Sequence, residues 1–115
     1  MLPRENRLVS GKDFDLVHKT GQFFSSGAVF LNVRGNGLKK ARIGFSIGIK
    51  FSPKAVLRNK AKRMLREIAQ GEVMHIKKGL DMVVMLKKEK SFPQYADLKK
   101  DLTNILQKGN LFIKQ

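Results

Sequence analysis

Four cations, Arg58, Lys62, Arg63 and Arg66, recur at roughly helical spacing within AVLRNKAKRMLRE, positions 55 to 67. Guanidinium and ammonium groups at that spacing can neutralise neighbouring phosphates, and the planar arginine fork takes two phosphate oxygens at once. Asn59, inside the same run, adds a donor and an acceptor suited to a ribose hydroxyl or a base edge. Acid and base chemistry has no comparable constellation. The nine carboxylates, Glu5, Asp13, Asp15, Glu67, Glu72, Asp81, Glu89, Asp97 and Asp101, are scattered, with no clustered set of the kind a two-metal nuclease uses. His18 and His75 lack a partner arrangement for proton transfer, and there is no cysteine to serve as nucleophile or thiolate ligand. The chain is therefore read as a binder, with no catalytic and no metal-ligating residue assigned.

The charge balance names the class of partner. The 115 residues carry 24 Lys and Arg against 9 Asp and Glu, a formal charge of +15, so a polyanion is expected. No acid lies between Asp15 and Glu67, an interval that holds Lys19, Arg34, Lys39, Lys40, Arg42, Lys50, Lys54 and Lys60 besides the four cations above. Phe30, Leu31, Ile43, Phe45, Ile47, Val56 and Leu65 interleave with them, which marks a folded cationic surface and not a disordered tail. The opening MLPRENRL lacks the apolar run of a signal peptide, and no apolar stretch reaches membrane-spanning length. A single domain over residues 1 to 115, cytoplasmic and without a membrane partner, is expected.

Punctuation along the chain places the elements. Ser10 with Asp13 reads as a capping box, and Gly21 as a stop, giving a helix over 11 to 20. AVFLNVR at 28 to 34 and ARIGFSIGI at 41 to 49 flank a Gly-Asn-Gly turn and read as paired antiparallel strands; QFFSS at 22 to 26 adds a short extra strand. Ser52 as N-cap, Pro53 in the first turn and Gly71 as terminator bound a second helix over 53 to 70. LDMVVMLK at 80 to 87 has the length of a buried strand, and Tyr95, Leu98, Leu102, Ile105 and Leu106 set a third helix ending near Gly109.

On the second helix, Leu57, Ala61, Met64, Leu65 and Ile68 form one apolar stripe, and Arg58, Asn59, Lys62, Arg63 and Arg66 take the other side. A solvated face would mix signs, because like charges four apart cost a few tenths of a kcal/mol each where opposite charges gain as much. Only Glu67 offsets this series, so a phosphate backbone accounts for the face better than water does.

RNKAKRMLRE resembles the signature of the bacterial ribonuclease P protein family: Arg-Asn, two variable residues, Lys-Arg, two more, then Arg. RENRLVSGKDFDLVHKTG at 4 to 21, RIGFSI at 42 to 47 and GLDMVVMLKK at 79 to 88 are similar to that family's opening segment, central strand and late strand, in the same order. The resemblance implies an α+β sandwich of order αβββαβα, with a left-handed βαβ crossover against the usual right-handed rule. It implies an RNA-binding subunit of a ribonucleoprotein endoribonuclease that removes the 5′ leader of precursor tRNA, with the chemistry in the RNA. The basic helix, through Arg58, Asn59, Lys62, Arg63 and Arg66, would contact the catalytic RNA. Phe14, Val17 and His18 of the first helix, with Ser46, Gly48 and Lys50 of the strand, would line a cleft for the single-stranded leader, where rings and cations suit unpaired nucleotides.

No cofactor is expected on the protein itself. Magnesium would serve the RNA-catalysed reaction, the partners would be the catalytic RNA and precursor tRNA, and no obligate protein partner is implied. Two positions depart from the family pattern. His18 stands where an aromatic is common, and Ile49 precedes Lys50 where two basic residues are common; a histidine in the cleft would make leader affinity pH-sensitive. A structural RNA-binding protein and a protein-only nuclease are the alternatives: the first predicts no preference for precursor over mature tRNA, the second cleavage without an RNA subunit.

Overall fold

The computed structural model describes residues 2 to 113. After a 3-10 turn at Arg4–Asn6 come helix α1 (Gly11–Thr20), strands β1 (Gln22–Ser26), β2 (Val29–Gly35) and β3 (Arg42–Phe45), helix α2 (Ala55–Glu72), a second 3-10 turn (Val73–His75), strand β4 (Leu80–Leu86) and helix α3 (Tyr95–Lys108). This is the expected αβββαβα order, and the weakly marked strand at 22 to 26 is present as β1.

Strand pairing differs from the sequence expectation at one point. The sheet order is β1-β2-β4-β3: β1 and β4 run antiparallel to β2, and β3 runs parallel to β4. The strands flanking the Gly-Asn-Gly turn are therefore not partners, because β4 lies between them. Its side chains explain the placement. Asp81, Met82, Val83 and Val84 are all buried, so this strand needs cover on both faces and a neighbour on both edges. The loop between β2 and β3 closes around its start: Asn36 N–H donates to the Gly79 carbonyl (2.8 Å), and Gly79 N–H donates to the Lys40 carbonyl (3.1 Å). Gly79 holds φ +85° there, and a Cβ would press on the Leu38 carbonyl, so the crossing point requires glycine.

Alternation along the strands divides the core. Leu31, Val33, Ile43, Met82 and Val84 face α2 and α3, where they meet Leu65, Ile68, Leu98, Leu102, Ile105 and Leu106. Side chains of that size contribute roughly 1.5 to 3 kcal/mol each on full burial. The opposite face carries the smaller cluster of Leu8, Val17 and Val83, with Phe14 and Met85 packed on it, and is covered by α1 over only part of its area.

α1 begins at Gly11 as the sequence reading has it, but neither helix start is capped as expected. Ser10 makes no side-chain cap; its carbonyl instead accepts the Phe14 N–H (3.1 Å). α2 begins at Ala55, after Ser52 Oγ accepts the Lys54 N–H (3.2 Å), so Ser52 organises the approach and does not cap the helix. Gly71 does not stop α2 either: it sits in open space, and the helix continues to Glu72.

Candidate nucleic-acid interface

The apolar stripe of α2 packs as its periodicity requires, with Ala61, Leu65, Ile68 and Ala69 buried. The opposite face leaves Asn59, Arg63 and Arg66 exposed, with Arg58 and Lys62 half-buried. Arg58 donates from Nη1 to the Ser52 carbonyl (3.0 Å), which ties the preceding loop to the first turn. Among the described residues only Arg42 forms ion pairs, so no carboxylate compensates the cations of α2, and Glu67 does not pair with Arg63. Lys60 lies elsewhere on the helix, its Nζ 4.8 Å from the centre of the Phe92 ring.

α1 crosses the other face of the sheet. Val17 is fully buried against the small cluster, so it holds the helix down and presents nothing to a ligand. With no exposed surface, its side chain belongs to the small cluster with Leu8 and Val83 and does not line the open side of α1, where the sequence reading places it. Phe14 is half-buried, its ring lying against Gly44, where a Cβ would collide with it. His18 is exposed, with Nδ1 3.1 Å from the Asn32 amide nitrogen in β2, so the neutral ring can accept that N–H.

Beyond the row of Gly44, Val83 and Asn32 the sheet lies open. The next row carries Met85 paired with Phe30, and the Phe23 ring, 57% exposed, lies tilted against Phe30 at 5.5 Å between centroids. These rings were not singled out from the sequence, although the alternation of VFLNVR already places Phe30, Asn32 and Arg34 on one face and Val29, Leu31 and Val33 on the other. Ser46 extends the ladder by one bond, its N–H donating to the Val84 carbonyl (2.9 Å), and shares a face with Gly44. Gly48 and Lys50 are exposed but not on a strand: β3 ends at Phe45, and Phe51 and Ser52 donate back to the Gly48 carbonyl, which turns the chain away.

A buried ion-pair network fixes α1 over the sheet. Asp81, 2% exposed, accepts Arg42 Nε (2.8 Å) and Nη2 (2.7 Å) in bidentate form and Asn36 Nδ2 (2.8 Å); Arg42 also reaches Asp13 of α1 at 3.5 Å. Burial pushes the Asp81 carboxyl up, but the hydrogen bonds from Arg42 and Asn36 outweigh it and hold the group below the usual aspartate range. The hydrogen bond to Asp81 raises Arg42 in turn.

The two surfaces inferred separately from sequence meet at one place. Phe14 of α1 and Lys62 and Arg66 of α2 border a common cavity of about 390 Å³ at the free edge of β3. Among the described residues no group of three His, Asp or Glu is arranged to hold a metal ion, and no helix is long and apolar enough to cross a membrane.

Comparison with known proteins agrees with this geometry. The family model described as Ribonuclease P matches residues 2–110. The ribonuclease P protein component of a Pseudanabaena species is 36% identical over 112 residues, covering 96% of this chain and 97% of its own. That of Finegoldia magna is 36% identical over 104 residues, 90% of each chain. The solved ribonuclease P protein of Thermotoga maritima superposes with a TM-score of 0.78 at 32% identity, over 95% of this chain and 98% of that one. With the fold, the uncompensated basic helix and a family match along nearly the whole sequence in agreement, the chain belongs to the ribonuclease P protein family.

Proposed function

We propose that this chain binds the catalytic RNA of ribonuclease P through the polar face of α2 and the 5′ leader of precursor tRNA along the open side of α1. As a ribonuclease P protein component it takes part in maturing tRNA 5′ ends within a ribonucleoprotein whose catalytic activity lies with the RNA. One observation carries the assignment of the α2 face: five polar side chains, Arg58, Asn59, Lys62, Arg63 and Arg66, share it with no acid paired to any cation among them. For the leader, Phe14 against Gly44 and His18 at Asn32 share their face of the sheet with Ser46, Phe30 and Met85, and Gly48 and Lys50 lie in the turn that follows β3. Magnesium is assigned to the RNA and its phosphates, with none held by the protein.

Reconstitution tests this reading. Purified protein mixed with the catalytic RNA and precursor tRNA at physiological magnesium should accelerate leader removal, and the gain should depend on leader length. Lack of acceleration refutes the reading. Cleavage by the protein without RNA favours the protein-only alternative, and equal binding of precursor and mature tRNA favours a structural RNA-binding protein.

A further inference from the structure

We propose that the cavity at the free edge of β3 receives one unstacked nucleotide flanking the RNA region held by α2, its base against Phe14 and Phe45 and the phosphates on either side of it on Lys62 and Arg66. The proposal rests on the RNA-binding role of α2 and adds a discrete nucleotide site to it.

The edge itself supplies the first argument. β3 is the last strand of the sheet, and the amino-terminal segment covers it at a single point, where Arg7 bridges Ile43 and Leu8 N–H donates to the Ile43 carbonyl (3.0 Å). In a parallel ladder alternate residues turn their peptide groups to opposite sides. Ser46 donates inward to Val84, so Gly44 and Ser46 face β4, and the N–H and carbonyl of Phe45 face outward onto the uncovered edge. A donor and an acceptor on one residue, beside apolar surface, are what the edge of a nucleobase can use.

The second argument is the composition of the wall. Phe45 comes to the cavity from the α2 side of the sheet and Phe14 from the α1 side, both half-buried, with Val9 78% exposed at the border. Arg7, Lys62 and Arg66 supply the charge; no carboxylate lines the cavity, and none of the three cations is in an ion pair. A free phosphate would satisfy the cations and leave the rings and the Phe45 peptide groups unused. An uncharged aromatic ligand would do the reverse. A nucleotide satisfies both, by the combination of ring stacking and cationic tracking that single-strand binders employ. The volume, about 390 Å³, lies at the lower end of small-ligand sites and admits one nucleotide but not a base-paired duplex.

The test is a resonance titration of the full chain with adenosine 5′-monophosphate, ribose 5-phosphate and inorganic phosphate at millimolar concentrations. The mononucleotide should shift the Phe45 amide and the ring resonances of Phe14 and Phe45, whereas the two base-free anions should shift only the cations Arg7, Lys62 and Arg66. Phe45→Leu, which keeps apolar volume but removes the ring, should weaken the mononucleotide at least fivefold and leave ribose 5-phosphate unchanged. Val9→Glu, a surface change that spares the core, should weaken the mononucleotide as well and covers the case in which Phe45→Leu does not fold. The proposal is overturned by identical shifts for all three ligands, by no shift with the mononucleotide, or by shifts confined to Phe23, Phe30 and His18. Each of those results leaves RNA-dependent acceleration in the reconstitution intact, so failure of the nucleotide site and failure of the RNA-binding role are distinguishable.

Discussion

Arg66→Ala offers the sharpest test of α2 as the phosphate-binding face. Arg66 is exposed and in no ion pair, and no hydrogen bond engages its guanidinium, so its removal changes charge with little change in packing. If Arg58, Lys62, Arg63 and Arg66 together neutralise about four phosphates of a duplex region, the logarithm of affinity should fall with the logarithm of salt at a slope of about −3.6. Between 50 and 200 mM salt the native protein then loses affinity about 150-fold. With one contact gone the slope becomes about −2.7 and the loss about 40-fold. Arg63→Ala should behave the same way. Arg58→Ala should flatten the slope and also loosen the loop, because it removes the hydrogen bond to the Ser52 carbonyl. Lys99→Ala on α3 should leave the slope where it was. The assay is filter binding of the catalytic RNA across a salt series, and unchanged slopes in both Arg63→Ala and Arg66→Ala would remove α2 from the interface.

Phe14→Ala should leave the salt slope intact and weaken leader binding by about 1 to 3 kcal/mol, read as the affinity difference between precursor and mature tRNA; a flattened slope would contradict a stacking role. Gly44→Ala should destabilise the fold by roughly 1 to 3 kcal/mol, because the new methyl meets the Phe14 ring, and Phe14→Leu should recover part of that loss in thermal melts. Asp81→Asn should cost about 3 kcal/mol, the lower end for breaking a buried pair, since Asp13 remains 3.5 Å from Arg42. The Asp81 pKa is lowered on folding, so its contribution is present above the ordinary aspartate value of about 3.9 and is lost as pH falls below it. Urea midpoints of wild type and Asp81→Asn should therefore differ at pH 7 and converge toward pH 3, and a constant gap would show that the carboxylate charge is not what matters.

What the sequence made legible follows from the range of each signal. α1, β1 and α3 were bounded correctly because glycine punctuation and apolar periodicity act over a few residues, and each element contains its own signal. Strand pairing does not. β2 and β3 read as a hairpin because nothing within residues 28 to 49 records that β4, about forty residues later, enters between them. The apolar run of β4 did indicate burial on both faces, and a strand buried on both faces seldom forms an edge, so a central position was the inference available there. Site residues divide the same way. The cations of α2 lie on one helix and were legible together, whereas Phe14 and Arg66 meet only because α1 and α2 pack on opposite faces of one sheet and reach its free edge from both sides. The network of Arg42, Asp81, Asn36 and Asp13 joins four segments for which no local rule pairs the charges, yet it holds α1 where Phe14 meets Gly44. Substitutions in that network should therefore disturb leader binding and folding together, while substitutions on the exposed face of α2 disturb RNA affinity alone.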